Sequence, residues 1–340
     1  MSNLEPLGNG FLGTLGKSIY RTLLFIRELR FKIFPPRRFP FPVISVGGIS
    51  AGGTGKTPLT STIIDIVTDL GYTPVLFSRG YGRTSKEYLL ITPEQECTFT
   101  EVGDEPAMLK ARHPSVWLAI GSKRVISAQK LLKHLPSRAV AILDDGFQHR
   151  YLARDLDIVT LPPTLFNEQL IPAGLLREPL SALQRADLLV PLSDSSFTEE
   201  YLDRISLFNK PIITAQITTP YWQDLYGNRL SHLTKPLALF SGIARPQRFI
   251  SAAKKHSTTI TSTTIFNDHH TFSDQEIEKL AQLHLSSYGT TEKDLQRLST
   301  NNRAKLEKLY YLVVTLTIEN RTLLESLIAS LLRGHYDTSK

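Results

Sequence analysis

The stretch Val43-Ile44-Ser45-Val46-Gly47-Gly48-Ile49-Ser50-Ala51-Gly52-Gly53-Thr54-Gly55-Lys56-Thr57-Pro58 decides the fold. Its first four residues form a short apolar, largely β-branched run that stops at Gly47 and Gly48. A glycine-rich loop follows and closes on Gly55-Lys56-Thr57, where a helix begins. Each residue type has its own task around a polyphosphate. Gly52, Gly53 and Gly55 let backbone N–H groups approach phosphate oxygens with no Cβ in the way, and they accept positive φ. Lys56 brings a mobile point charge to the β- and γ-phosphates. Thr57, in the first helical turn, offers a hydroxyl to Mg²⁺ while the helix N-terminus favours the anion. The full pattern G-x-x-x-x-G-K-[ST] opens on glycine, and here Ser50 stands in that place. A glycine-rich turn with an incidental lysine is the bland alternative, and the flanking strand and helix argue against it. The stretch reads as a nucleoside triphosphate site.

The chain has 340 residues, of which 41% are hydrophobic, enough for one large domain or two medium ones, and two are expected. Cys97 is the single cysteine; no internal disulfide framework exists, which fits a reducing compartment. The net charge of +7 calls for an acidic partner, whether nucleic acid, a phosphorylated substrate or an anionic membrane. Much of the excess lies near the N-terminus, where Lys17, Arg21, Arg27, Arg30, Lys32, Arg37 and Arg38 face only Glu28. Leu12, Leu15, Ile19, Leu23 and Ile26 fall there at helical spacing, and Phe25, Leu29, Phe31, Ile33 and Phe34 widen the stripe. Charges interrupt it too often for a spanning helix, which needs ~20 mainly apolar residues, and no signal-peptide cleavage pattern follows. Two readings remain: a basic amphipathic helix in the headgroup region of an anionic bilayer, or a helix on the protein's own core with solvated arginines. Pro35 and Pro36 end it.

Downstream of the loop, 59–70 reads as a helix stopped by Gly71, and Pro74-Val75-Leu76-Phe77-Ser78 as a second buried strand of a parallel sheet. Arg79 and Arg83 follow at a strand C-terminus, where open α/β sheets bind ligands; they are anion contacts or exposed arginines on a glycine turn. In Val102-Gly103-Asp104-Glu105-Pro106, Asp104 is either an N-cap for the helical run 107–112 or a carboxylate able to take a proton from an attacking hydroxyl. A strand spans 117–120, after which Lys123 and Arg124 open a helix running to about His134 and meet phosphate or water. Ala139-Val140-Ala141-Ile142-Leu143 is a strand that ends in Asp144-Asp145. Paired carboxylates there suit Mg²⁺ near the phosphates, the alternative being an Asp-Asp-Gly turn. Gly146-Phe147-Gln148-His149-Arg150 follows, then a strand at 155–159.

The remainder alternates again: strand 237–241, a threonine-rich strand 260–266, helix 274–285, strand 310–317 and a short helix 321–332, with 337–340 fraying. The fold class is α/β, with a P-loop NTPase-like parallel sheet domain and a second, smaller α/β domain. The expected division is 1–36 for the basic amphipathic, membrane-associating helix, 37–215 for the P-loop kinase domain, 216–320 for the smaller α/β domain and 321–340 for the C-terminal helix and tail.

Taken in order, VGGISAGGTGKTP, SRGYGR, VGDEP, LDDGFQHRYLARDLDIV, PAGLLREP, SGIARPQRF, FNDHHTFS and TTEKD resemble the tetraacyldisaccharide 4′-kinases over 11–316. The resemblance implies ATP-dependent phosphorylation of the 4′-hydroxyl of an acylated glucosamine disaccharide 1-phosphate, a step of lipid A biosynthesis, by an enzyme peripheral to the cytoplasmic face of the inner membrane. It implies ATP and Mg²⁺, with Ser50, Ala51, Gly52, Gly53, Thr54, Gly55, Lys56 and Thr57 as the phosphate loop, and serine acceptable at its first position. Asp104 resembles the catalytic carboxylate and His269, of Asp268-His269-His270, its orienting charge partner; by itself that triplet reads as a metal cluster or a polar turn. Thr57, Asp144, Asp145 and Glu178 are implied around the metal, and Arg79, Arg124, Gln148 and Arg177 around the transferred phosphate and substrate. The anionic membrane surface is the expected partner; nucleic acid and an obligate protein partner are not expected. Two rivals carry over from the residues. A membrane-associated P-loop ATPase switch acting through a protein partner has an extra lysine before the glycine pair, where this chain has Ala51. A nucleic-acid NTPase would interleave its basic residues with stacking platforms rather than an apolar helical stripe.

Overall fold

The computed structural model describes residues 8, 10–52, 55–193, 196–218, 220–283 and 287–337. Eight strands follow one another between residues 43 and 217: β1 (Val43–Gly48), β2 (Thr73–Ser78), β3 (Leu89–Ile91), β4 (Trp117–Ile120), β5 (Ala139–Asp144), β6 (Leu156–Leu161), β7 (Leu188–Ser193) and β8 (Ala215–Ile217). Six more form a separate sheet: β9 (Tyr221–Asp224), β10 (Arg229–Leu230), β11 (Leu237–Ser241), β12 (Ile260–Ile265), β13 (Ser287–Thr291) and β14 (Leu309–Val313). The last, β15 (Leu316–Ile318), returns to the first sheet, whose order is β15-β8-β7-β6-β1-β5-β2-β4-β3.

In the first sheet β1, β2 and β4 to β8 pair in parallel, and only the edge strands β3 and β15 run antiparallel. Parallel strands need both faces covered, and alternate side chains leave on opposite faces. Leu76 and Ile142 enter one core with Leu59, Ile63 and Val67 of the helix Lys56–Asp69 and Leu324, Ile328 and Leu332 of the helix Arg321–Tyr336. Their neighbours Val75, Phe77, Ala141 and Leu143 enter the opposite core with Phe39, Phe41 and Leu131. Each aliphatic or aromatic side chain so buried is worth about 1.5–3 kcal/mol. Residues 310–317, expected as one strand, divide between sheets: β14 pairs with β13 and β9, and β15 pairs with β8. The chain passes between layers at Val314-Thr315, where Thr218 N donates to Thr315 O at 3.0 Å and the two threonine hydroxyls hydrogen-bond.

The N-terminal helix Phe11–Ile33 has its apolar stripe outward. Leu12 is 69% exposed and Ile26 56%, and Leu15, Ile19, Leu23, Leu29 and Ile33 are exposed with them, while Leu24 and Phe31 are buried. Polar side chains dock it instead: Tyr20 Oη donates to Arg177 O at 2.8 Å, Lys17 to Gln169 Oε1 at 3.0 Å, and Arg27 and Glu28 pair with Glu178 and Arg150. Packing of the stripe on the protein's own core is therefore not what this helix does. Among the described residues no helix is long and apolar enough to cross a membrane.

Candidate active site

β1 ends at Gly48 in the middle of the first sheet, and the phosphate loop leaves from there. Ser50 is buried and bridges to Leu176, Ala51 N donates to Leu175 O at 2.7 Å, and Arg177 N donates to Ile49 O at 2.6 Å, so 175–177 braces the loop's entry. Gly52 and Gly55 adopt φ of +97° and +71°, the left-handed region that the sequence requires of its glycines. Gly53 and Thr54 lie outside the described residues. Gly55 precedes the helix Lys56–Asp69, so Lys56 and Thr57 are its first two residues, with the helix N-terminus at the loop.

Lys56 Nζ lies 3.5 Å from Asp145 Oδ1, and Arg177 Nη1 donates to Asp145 Oδ2 at 2.7 Å. Burial favours a protonated Asp145, but Lys56 and Arg177 outweigh it and hold the carboxyl down at about 2. Asp144, at the end of β5, is pushed up to about 7 by burial first and then by Glu105 and Asp145. Two adjacent carboxylates with opposite shifts, Asp144 buried and Asp145 part-exposed, make a site in which a further cation would be stabilising. Asp145 has φ +50°, outside the usual range for a non-glycine residue and held by these contacts.

Arg124, expected to meet phosphate or water, is 1% exposed, and its Nη1 and Nη2 donate to Gly121 O and Asp144 O at 3.2 and 3.3 Å. It does not face water. Burial, then the nearby Arg79, lowers it to about 10. Gln148 Nε2 donates to Gly48 O at 2.9 Å and its Oε1 is 3.4 Å from Arg177 Nη1, so Gln148 ties the strand end to the Asp145 pair. Glu178 follows Arg177, which holds Asp145. It is 1% exposed and ion-paired with Arg27 at 2.7 Å and Arg185 at 2.5 Å. Among the described residues no three His, Cys, Asp or Glu side chains converge as a metal-ligand set.

Asp104 opens the helix Asp104–Arg112 as its first residue, with Gly103 as the N-cap, and its side chain caps nothing. A Cβ on Gly103 would lie 2.7 Å from Tyr81 O, so the absence of a side chain there lets the Gly80-Tyr81-Gly82 turn pack against the helix start. The freed carboxylate points at the second sheet. His269 Nδ1 lies 3.1 Å from Asp104 Oδ2, and Arg297 Nη2 donates to the same oxygen. An ionised carboxylate only accepts, so Nδ1 carries the hydrogen. Burial alone would raise Asp104, but the His269 hydrogen bond and the Lys293 and Arg297 charges hold it well below the ordinary carboxylate range. His269 has φ +59°, its N donates to Gly242 O at 3.0 Å, and the Tyr81 ring stands 4.9 Å from its own. His270 instead hydrogen-bonds Glu276, at 3.0 Å.

Sequence reasoning missed Arg297 and the role of the helix Glu292–Gln296. Arg297 is 3% exposed; its Nη1 donates to Gly242 O at 2.7 Å and to Asp294 Oδ1 at 3.1 Å. The helix lies along Asp104–Arg112: Glu292 pairs with Arg112, Lys293 with Glu105, and Arg297 beyond its end with Asp104. The available signal was the Asp294-x-x-Arg297 spacing, which puts acid and base on one helical face, but nothing local told that face from a solvated one.

The family model for tetraacyldisaccharide-1-P 4′-kinase matches residues 12–333. The tetraacyldisaccharide 4′-kinase of Chlorobium limicola is 35% identical over 333 residues, covering 92% of this chain and 95% of that one. The one from Desulfotalea psychrophila is 32% identical over 301 residues, covering 83% and 86%. Among solved structures, LpxK of Aquifex aeolicus, determined in complex with ATP, superposes with a TM-score of 0.76 at 28% identity and covers 93% of this chain and 97% of that one.

Proposed function

The chain belongs to the tetraacyldisaccharide 4′-kinase family, and from that premise we propose that it transfers the γ-phosphate of ATP to the 4′-hydroxyl of an acylated glucosamine disaccharide 1-phosphate. The observation that carries this reading is Asp104, a buried carboxylate held ionised by His269 and Arg297 through Oδ2 alone, next to Glu105, whose charge reaches Asp144 of the nucleotide cluster.

ATP binds with its phosphates on the loop 50–57. Lys56 and the helix N-terminus take the β- and γ-phosphate charge, and Arg177 and Arg124 hold Asp145 and Asp144 in register beneath it. Thr57, Asp144 and Asp145 would hold Mg²⁺; one or two carboxylates plus phosphate oxygens suffice for that ion, and Asp144, raised by burial, is a carboxylate that a cation would keep ionised. When bound, Mg²⁺ neutralises charge across the β- and γ-phosphates. Glu178 serves at one remove, fixing Arg27 and hence the N-terminal helix against 175–177.

The 4′-hydroxyl oxygen forms its bond to the γ-phosphorus as the bond to the β,γ-bridging oxygen breaks, ADP leaving with that electron pair. The hydroxyl proton passes to Asp104 Oδ1. A carboxylate held so low is a weak base, which suits a loose transition state in which the hydroxyl keeps its proton until late. His269 fixes the carboxylate and compensates its charge. The layers divide the work: 37–215, with 316–336 packed on it, carries ATP, and 221–313 brings His269 and Arg297 to Asp104. The exposed apolar stripe of the N-terminal helix, flanked by Arg21, Arg30 and Lys32, lies in the headgroup region of an anionic membrane at the cytoplasmic face, where the acyl chains remain.

The test is transfer of label from γ-³²P-ATP to purified acylated disaccharide 1-phosphate by wild type and Lys56→Ala. A labelled bis-phosphorylated lipid, lost in the variant, is expected. Release of the label only as inorganic phosphate would overturn the reading.

A further inference from the structure

The segment Ser241-Gly242-Ile243-Ala244-Arg245 leaves β11 of the second sheet and ends immediately before the helix Pro246–Lys255. The mechanism above uses its neighbours but not Arg245, whose side chain is exposed. A Cβ built on Gly52 would lie 2.7 Å from Arg245 Nη2 and 3.3 Å from its Cζ. The guanidinium of one layer thus lies against the phosphate loop of the other, over the one residue type that leaves it room. No hydrogen bond or ion pair holds it among the described residues.

The root of this segment is rigid. Ser241 Oγ and Gly242 N donate to Asp294 at 2.8 and 3.1 Å, and Gly242 O accepts from Arg297 Nη1 at 2.7 Å and from His269 N at 3.0 Å. Arg297 also holds Asp104. One buried guanidinium therefore fixes both the proton acceptor and the base of the segment that carries Arg245 to the loop. Arg245 lies against Gly52 of the loop that closes on Lys56 and the N-terminus of the helix Lys56–Asp69, and a guanidinium, an ammonium and a helix N-terminus share a polyphosphate as their complement. Lys56 and Thr57 approach from within the first layer. Arg245 approaches from the second, the side that supplies the partners of Asp104 and from which the acceptor hydroxyl must come.

We infer that Arg245 is a phosphate-contacting residue that binds the γ-phosphate of ATP and neutralises charge on the phosphoryl group during transfer. The inference rests on the kinase reading and extends it. Arg245 forms and breaks no covalent bond: the γ-phosphorus passes from the bridging oxygen to the 4′ oxygen, the proton goes to Asp104, and the guanidinium stays charged throughout.

The experiment compares full-length wild type, Arg245→Ala and Arg245→Lys by calorimetric titration with ATP and with ADP, and by kcat for lipid phosphorylation. Arg245→Ala is expected to weaken ATP about tenfold while leaving ADP unmoved, and to lower kcat by about 10²-fold or more, an arginine on a transferring phosphoryl group being worth roughly 10³–10⁵ in GTPases. Arg245→Lys should recover ATP affinity and little of kcat, since a point charge lacks the fork of a guanidinium. Unchanged ATP affinity with kcat within twofold of wild type, or equal losses for ATP and ADP, would overturn the inference. Discrimination of ATP from ADP through Arg245 in a protein that labels no lipid would leave it standing and remove the lipid kinase reading instead.

Discussion

Arg297 and Asp104 form an ion pair sealed from water on both sides, the guanidinium 2% and the carboxylate 4% exposed, although they belong to layers built on different sheets. Removing one partner of such a pair strands the other charge, at a cost of about 3–5 kcal/mol. Arg297→Met is therefore expected to lose stability of that order in urea unfolding at pH 7, and Arg297→Met with Asp104→Leu to recover most of it. Equal stability of the single variant and wild type would mean that the layers do not depend on this contact.

Asp104→Asn should lower turnover by about 10²–10⁴-fold, the range of a positioned proton acceptor, with ATP affinity unmoved. The same carboxylate predicts a pH dependence. Burial opposes ionisation, but His269, Lys293 and Arg297 bring the folded value below 3.8, so the group stabilises the protein fully above that pH and the contribution disappears as pH falls further. The stability gap between wild type and Asp104→Asn is expected to be constant from pH 5 to 8 and to close in acid. A gap that widened in acid would contradict the assigned sign.

Arg112 and Glu292 pair across the same two helices with Nε to Oε1 at 3.1 Å, both largely buried. Arg112→Glu alone should raise KM for the lipid and loosen the inter-layer contact by about 2–4 kcal/mol, since it sets like charges together in a site of low dielectric. Reversal of both partners should restore part of each, a coupling read from a double-mutant cycle.

Replacement of Leu23 and Ile26 by glutamine tests the outward stripe without disturbing the docked polar face of the helix. Each side chain contributes about 1.5–3 kcal/mol when it leaves water, so affinity for vesicles containing anionic lipid should fall at least tenfold per residue, with ATP affinity unchanged. Vesicle binding equal to wild type would assign the stripe to another partner.

Most of the nucleotide half was legible in the sequence because it is written in short-range terms. The β1 run, the glycines and Lys56-Thr57 are contiguous, and the Asp144-Asp145 strand end needs only local patterning to be read. Asp104 was ambiguous for a physical reason: an acid before Glu105-Pro106 suits a helix cap as well as a base, and only the arrival of His269 from another sheet decides where the carboxylate points. Arg124 gave no sign of burial, because a guanidinium satisfied by carbonyls of Gly121 and Asp144 looks in sequence like any basic surface residue. The run 310–317 carried one continuous β pattern through a change of sheet, since side-chain period records strand character and not strand partner. Pairings such as Arg297 with Asp104 join residues far apart in the chain, and such distances are invisible to spacing arguments.

The first sheet takes back the chain at β15, so the six-stranded sheet is joined to it by two adjacent crossings rather than one, and Thr218 and Thr315 tie those crossings together. A single tether would let one layer swivel, slide and tilt over the other. A bound pair of tethers removes that swivel and fixes the angle at which the second layer sits over the first. The orienting imidazole of His269 and the guanidinium of Arg245 therefore keep one alignment to Asp104 and to the phosphate loop.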